Sequence, residues 1–118
     1  MIKFIIPIAL LGVALYHIFP LIQVVGDSMY PTYKDSEIIF GTRIYRKIKV
    51  GDVIVYKSPN ENRTVIKRVA EIKKFHGDLF YYCLGDNLDN SYDSRYYGSI
   101  SSKSIVCKVI NQRRNENQ

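Results

Sequence analysis

Gly26-Asp27-Ser28-Met29-Tyr30-Pro31-Thr32-Tyr33 is the stretch on which the reading of this chain turns. It follows directly on a run, Phe4 to Gly26, that contains no Asp, Glu, Lys or Arg. Pro31 pushes Tyr30 out of the helical region, so the segment reads as a loop, with Ser28 between an acidic residue and Met-Tyr-Pro-Thr. Serine is a poor nucleophile unless a base takes its proton. His17 lies inside the apolar run and His76 in the polar stretch Lys73-Lys74-Phe75-His76-Gly77-Asp78, so neither suits that task. Lys67, in the β-patterned segment Thr64-Val65-Ile66-Lys67-Arg68-Val69, does. A Ser–Lys pair is an accepted variant of the Ser–His–Asp arrangement. Read from its residues, the chain is a serine hydrolase with a lysine base, held at a membrane.

Amino-terminal to the loop, residues 1–22 read as a membrane anchor. A helix over Phe4 to Val25 would span about 33 Å, against a hydrocarbon core of roughly 30 Å. Pro7 fits a first turn, and Pro20 ends or bends the helix, so a helix from Ile2 to Phe19 would reach about 27 Å. A cleaved secretory signal with Lys3 as its basic end is the competing reading, with Gly12-Val13-Ala14 as a weak processing site. An uncleaved transmembrane helix is preferred, because apolar sequence continues past that point up to the serine.

Carboxy-terminal to the loop, residues 23–110 read as one small β-rich domain and 111–118 as a polar tail that frays. Gln23-Val24-Val25 is extended, and Glu37 to Phe40, Val53 to Tyr56, Thr64 to Ile72, Leu79 to Leu84 and Ile105 to Ile110 are strands. Alternation along Thr64 to Ile72 sends Lys67 and Arg68 to opposite faces. The fold class is thus an all-β catalytic domain behind one amino-terminal transmembrane helix. The net charge of +6 comes from 17 Lys and Arg against 11 Asp and Glu. The basic residues are dispersed in doublets, which suits anionic lipid head groups and no nucleic acid. No zinc spacing, phosphate-binding glycine loop or dinucleotide fingerprint occurs, so neither metal nor cofactor is expected. Cys83 and Cys107 lie in apolar runs and read as buried thiols, with a disulfide left open.

A second dense motif is Gly85-Asp86-Asn87-Leu88-Asp89-Asn90-Ser91-Tyr92-Asp93-Ser94-Arg95-Tyr96-Tyr97-Gly98. Alone it is a polar turn with an Asp93–Arg95 ion pair. Taken in order, Ser28-Met29-Tyr30-Pro31-Thr32, Lys67-Arg68-Val69 and Gly85-Asp86-Asn87 through Ser91, Asp93, Arg95 and Gly98 resemble the signature blocks of the bacterial type I (leader) signal peptidases. The resemblance runs from about Gln23 to Val109 and is to a minimal, Gram-positive-like form. It implies a fold shared with the self-cleaving LexA-type proteases. It implies Ser28 as the acyl-forming nucleophile, Lys67 as general base, Ser91 as the hydroxyl that orients that lysine, and Asp93 with Arg95 shaping the site behind it. Gln23, Val25 and Gly26 on one side and Val65 and Ile66 on the other would line the cleft for an extended substrate. Met29, Tyr33, Val65 and Ile66 would shape pockets for alanine-like side chains. The implied partners are secretory precursor proteins and the lipid bilayer. The implied place is the cell membrane, single-pass, with the catalytic domain on the extracytoplasmic side.

The chain departs from the pattern in places. Gly26 stands where some members carry a serine, leaving the Ser28 N–H to carry more of the oxyanion hole. The short gap from Arg68 to Gly85 leaves no room for the second β-domain of larger members. Three rival functions stand beside this reading: a self-cleaving LexA-type protease, a maturation protease of the same family with one partner, and an inactive membrane-anchored binding module. In all the catalytic readings Lys67 must lose affinity for its proton through burial, since a free lysine at pKa about 10.4 is charged at neutral pH.

Overall fold

The computed structural model describes residues 2–115. Its first element is helix α1, Ile2–Ile18, with Pro7 in its second turn and no buried residue along its length. The apolar side chains therefore face outward on all sides. The helix stops where Pro20 restrains Phe19. Its last carbonyls are satisfied from the body of the protein: the Arg43 guanidinium donates to the His17 carbonyl, and the Arg43 N–H donates to the Ile18 carbonyl at 2.9 Å. A cation at this end also complements the helix dipole.

The helical part of the expected anchor over residues 1–22 ends at Ile18, one residue short of the expected Phe19. The 17 residues of α1 rise about 26 Å, and among the described residues no helix is long and apolar enough to cross a membrane. The residues that would have lengthened it, Leu21–Gln23, form strand β1, because they find ladder partners in β2, Ile38–Thr42.

The remaining strands are β3, Val53–Lys57, β4, Thr64–Phe75, β5, Asp78–Leu84, β6, Ile100–Ser101, and β7, Ile105–Val109. They join in one sheet of order β1-β2-β7-β3-β4-β5-β6, with every pairing antiparallel. Alternating side chains feed two apolar clusters. One gathers Val24, Met29, Tyr33, Val53, Val55, Ile66, Cys107 and Val109. The other gathers Ile54, Tyr56, Val69, Tyr81, Cys83 and Ile100. The two cysteines thus sit in separate clusters, both buried and both free. Burial pushes the Cys83 thiol up to about 12, so it has no thiolate character near neutral pH.

Strand β4 does two jobs. From Thr64 to Arg68 it pairs with β3, and from Arg68 to Phe75 with β5. One edge of Thr64–Lys67 is therefore left without a strand partner, and Lys67 stands at the handover. The carboxy-terminal segment differs from the fraying tail expected over 111–118. The Gln112 side chain bonds the Val53 N–H and carbonyl across the end of β3, and Asn115 is buried. Residues 116–118 of the expected tail lie outside the described residues.

Gly41, inside β2, is where the sheet admits no side chain. A Cβ there would stand 2.7 Å from Cys107 Sγ and 2.9 Å from Ile22 Cδ1. Gly41→Ala should destabilise the domain by about 1–3 kcal/mol, the usual range for overpacking. Thermal unfolding checks this, and the same substitution should cost less in a Cys107→Ala background. An equal cost in both backgrounds would contradict the packing described.

Candidate active site

The loop after β1 is shaped by its own backbone. Gly26 takes φ +85, a conformation side chains disfavour, and its N–H donates to Asp35 Oδ1 at 2.7 Å. The Val24 N–H bonds the Glu37 carbonyl at 2.8 Å, and the Tyr33 N–H closes a turn on the Met29 carbonyl at 2.9 Å. Ser28 lies at the start of that turn. Met29 and Tyr33 hang beneath it, 0% and 1% exposed, in the first apolar cluster. They differ here from the expectation that they shape substrate pockets. Their side chains anchor the loop to the core and do not line the cleft above it.

Lys67 reaches the serine from β4. Its Nζ lies 2.8 Å from Ser28 Oγ in a hydrogen bond, and the residue is 5% exposed. Burial lowers the affinity of this amine for its proton, the Asp93 carboxylate pulls it back up, Arg63 adds to the lowering, and the net shift is downward. Desolvation of the charged form therefore outweighs the nearby carboxylate.

Asp93 is fully buried. It accepts from the Gly85 N–H at 3.0 Å and from Arg95 Nε at 2.9 Å and Nη2 at 3.1 Å. Burial pushes its carboxyl up, but these donors outweigh that and hold it below the usual carboxylate range. Arg95 also ties the loop together by donating to the Leu88 and Ser91 carbonyls at 2.8 and 3.1 Å. Ser91 lines the same cleft as Ser28 and Lys67, but it makes no hydrogen bond to Lys67. Its hydroxyl oxygen is buried without a partner in hydrogen-bonding geometry.

Four residues whose roles were not read from the sequence complete the assembly. Arg68, expected to face away from Lys67, does so and is buried there. Its Nε and Nη2 each lie 2.9 Å from an oxygen of Asp86. Asp86 Oδ2 also accepts from Thr32 Oγ1 at 2.6 Å. The Asn87 N–H donates to the Ser28 carbonyl at 2.9 Å, and its side chain donates to the Asp27 carbonyl at 3.0 Å. Gly85 is required beside them, since a Cβ would meet Ser91 Oγ at 2.2 Å and the Ser28 carbonyl oxygen at 2.6 Å. The motif Gly85-Asp86-Asn87 thus stitches the serine loop to β4. Its sequence signal was an acid in one block and an arginine in another, with nothing to say which of the chain's acids pairs with which base.

A cleft of about 840 Å³ opens over the pair. It is lined by Gln23, Val25 and Gly26 from one segment and Thr64, Val65 and Ile66 from the other, together with Asp89, Tyr92 and Tyr96. Both wall segments run in chain direction toward Ser28 and Lys67. The free edge of β4 lies along one of them, so an extended peptide can join by main-chain hydrogen bonds.

The family model for signal peptidase, peptidase S26, matches residues 1–72 and 77–111. The chain belongs to this family. Mitochondrial inner membrane protease subunit 1 of Mus musculus is 35% identical over 95 residues, covering 64% of this chain and 57% of the relative. The protein of the same name from Schizosaccharomyces pombe is 29% identical over 134 residues, covering 89% of this chain and 83% of its own. Signal peptidase I of Buchnera aphidicola subsp. Baizongia pistaciae is 53% identical over 30 residues, a quarter of this chain (25%) and 10% of the relative. The match with the mouse protein spans little more than half of that protein's length (57%). The relatives it matches include proteins named as mitochondrial and as bacterial proteases.

Breaking the Arg68–Asp86 pair from one side leaves a buried guanidinium without its counter-charge. Asp86→Ala should cost about 3–5 kcal/mol of stability, the range for a buried pair deprived of one partner. Denaturant unfolding of the full chain in detergent checks this. A loss below about 1 kcal/mol, as for an exposed pair, would contradict the burial described.

Proposed function

We propose that the chain is a membrane-attached serine endopeptidase that removes signal peptides from exported precursor proteins, with Ser28 as nucleophile and Lys67 as general base. The observation that carries this is the 2.8 Å contact between Lys67 Nζ and Ser28 Oγ at a lysine whose charged form burial disfavours. A neutral amine there accepts the serine proton as Oγ attacks the scissile carbonyl. The Ser28 N–H has no partner among the described residues and is free to bind the developing oxyanion. Collapse of the tetrahedral adduct passes the proton from Lys67 to the leaving amine and leaves an ester on Ser28. Water then attacks that ester, with Lys67 again taking the proton.

The substrate lies as an added strand between Gln23–Gly26 and Thr64–Ile66. Val25, Val65 and Ile66 then take part in selecting Ala, Gly or Ser immediately before the cut. Ser91 and the Asp93–Arg95 pair hold the loop that closes the back of the site. The outward apolar face of α1, including Phe4, Ile8, Leu11 and Leu15, seeks lipid. That contact would hold the cleft where a precursor's apolar segment ends, on the extracytoplasmic side. The similarity to subunits named mitochondrial inner membrane protease favours a second reading, in which the same chemistry matures one partner protein.

Ser28→Ala and Lys67→Ala should each abolish cleavage of a purified precursor while leaving the fold intact. Lys67→Arg should not rescue, because a guanidinium stays charged. In the unmodified chain turnover should rise with pH through the lowered pKa of Lys67, because the neutral amine accumulates above it. The ascending limb should therefore lie below about 10.4, the free-lysine value. Near-normal turnover in either alanine variant, or a flat pH profile, would refute the assignment. Broad cleavage of unrelated precursors separates the first reading from the second.

A further inference from the structure

The segment beyond β7 grips the underside of the serine loop, and it lies past the residues that the family model matches, 1–72 and 77–111. Arg113 is its centre. Its N–H donates to the Tyr33 hydroxyl oxygen at 3.1 Å, and its Nη1 donates to the Thr32 carbonyl at 3.1 Å. The same Nη1 contacts both carboxylate oxygens of Glu37 at 2.8 and 2.7 Å. The guanidinium lies 4.8 Å from the centre of the Tyr33 ring. Its carbonyl accepts from Arg68 Nη2 at 2.7 Å, the same nitrogen that holds Asp86. Gln112 fastens the segment to β3 just before it.

These contacts close a ring. Thr32 bonds Asp86, Asp86 bonds Arg68, Arg68 bonds the Arg113 carbonyl, and Arg113 returns to Thr32 and Tyr33. Ser28 stands one turn before Thr32 on the same loop, and Lys67 stands next to Arg68 on β4. The ring therefore spans both sides of the Ser28–Lys67 contact from behind.

We propose that Arg113 is a positioning residue that fixes the depth and angle of the serine loop against β4, and so sets the Ser28–Lys67 distance. It touches neither Lys67 nor the cleft, and it acts through Thr32, Tyr33 and Arg68. This rests on the reading of Ser28 and Lys67 as nucleophile and base. A displacement of about 1 Å at a reacting group is enough to cost on the order of 10²-fold in rate, so a strap of this kind belongs to the turnover step and not to substrate binding.

The test compares the full chain in detergent with Arg113→Ala and Arg113→Lys. Amide hydrogen exchange is followed by peptide mass spectrometry, and kcat and KM are measured on one precursor. For Arg113→Ala, exchange should speed in residues 26–33 while β3 and β5 stay protected. Its kcat should fall roughly tenfold or more with KM within about twofold, as expected when alignment and not binding is lost. Arg113→Lys keeps the charge toward Glu37 and should recover part of both effects. Unchanged exchange in residues 26–33, a rise in exchange spread over every strand, or faster loop exchange with unchanged kcat would each overturn the proposal. If the unmodified chain cuts no precursor, the reading of the dyad fails by itself, and exchange still decides whether Arg113 holds the loop.

Discussion

The site depends on keeping an amine out of water beside a hydroxyl without giving it a counter-ion. A buried ammonium is stabilised by any carboxylate at contact, and each pKa unit gained that way is worth about 1.4 kcal/mol. Lys67 has Asp93 close enough to pull its affinity upward, and yet burial prevails. The reason lies one residue pair further back. Arg95 occupies both oxygens of Asp93, and the Gly85 N–H takes a further position. The carboxylate is thus neutralised where it stands, and its pull on Lys67 is too small to offset the loss of hydration. Arg95 is in this sense part of the electrostatics of Lys67 without touching it.

Behind that site, two ion pairs act as struts for two short loops. Arg95 and Asp93 fold residues 85–98 back on themselves. Arg68 and Asp86 join the serine loop to β4, with Thr32 as a third member. A polar assembly of this kind is tolerated in so small a domain because its buried groups are nearly all satisfied. Among the described residues the buried unsatisfied side-chain atoms are the hydroxyls of Ser58 and Ser91. The second of these lies in the cleft, over Gly85, where no Cβ fits.

Much of the fold was legible because strand patterning is a local property. The alternation of Thr64 to Ile72 and the apolar runs at Val53, Leu79 and Ile105 each carry their own signal, and each is a strand. The short β6 and the small helix α2, Ser94–Tyr97, were not, since they are too brief to show a period. The end of α1 was legible to within a residue, because Pro20 stops it, but the strand at Leu21 and Ile22 was not: two apolar residues suit a lipid-facing segment and a strand equally, and the ladder of β2 decides between them. Ser28 and Lys67 could be paired from chemistry alone. Met29 and Tyr33 could not be placed, because an apolar residue beside a nucleophile reads the same whether it faces the cleft or the core. The pairing of Arg68 with Asp86, and of Arg113 with Glu37, depends on contacts far apart in sequence that no local pattern announces. The segment at Gln112 looked like a fraying tail because its bonds are made by polar side chains to backbone, which composition cannot distinguish from solvation.

The most direct measurement is the protonation of Lys67 itself. The full chain in detergent, labelled at lysine with nitrogen-15 and carbon-13, can be titrated by NMR, with the Lys67 signal assigned by its loss in Lys67→Arg. A buried amine bonded to Ser28 should titrate below the free-lysine value of about 10.4, and its signal should respond to Ser28→Ala. A Lys67 that titrates at or above that value would be a charged lysine, and would contradict the role of base proposed for it.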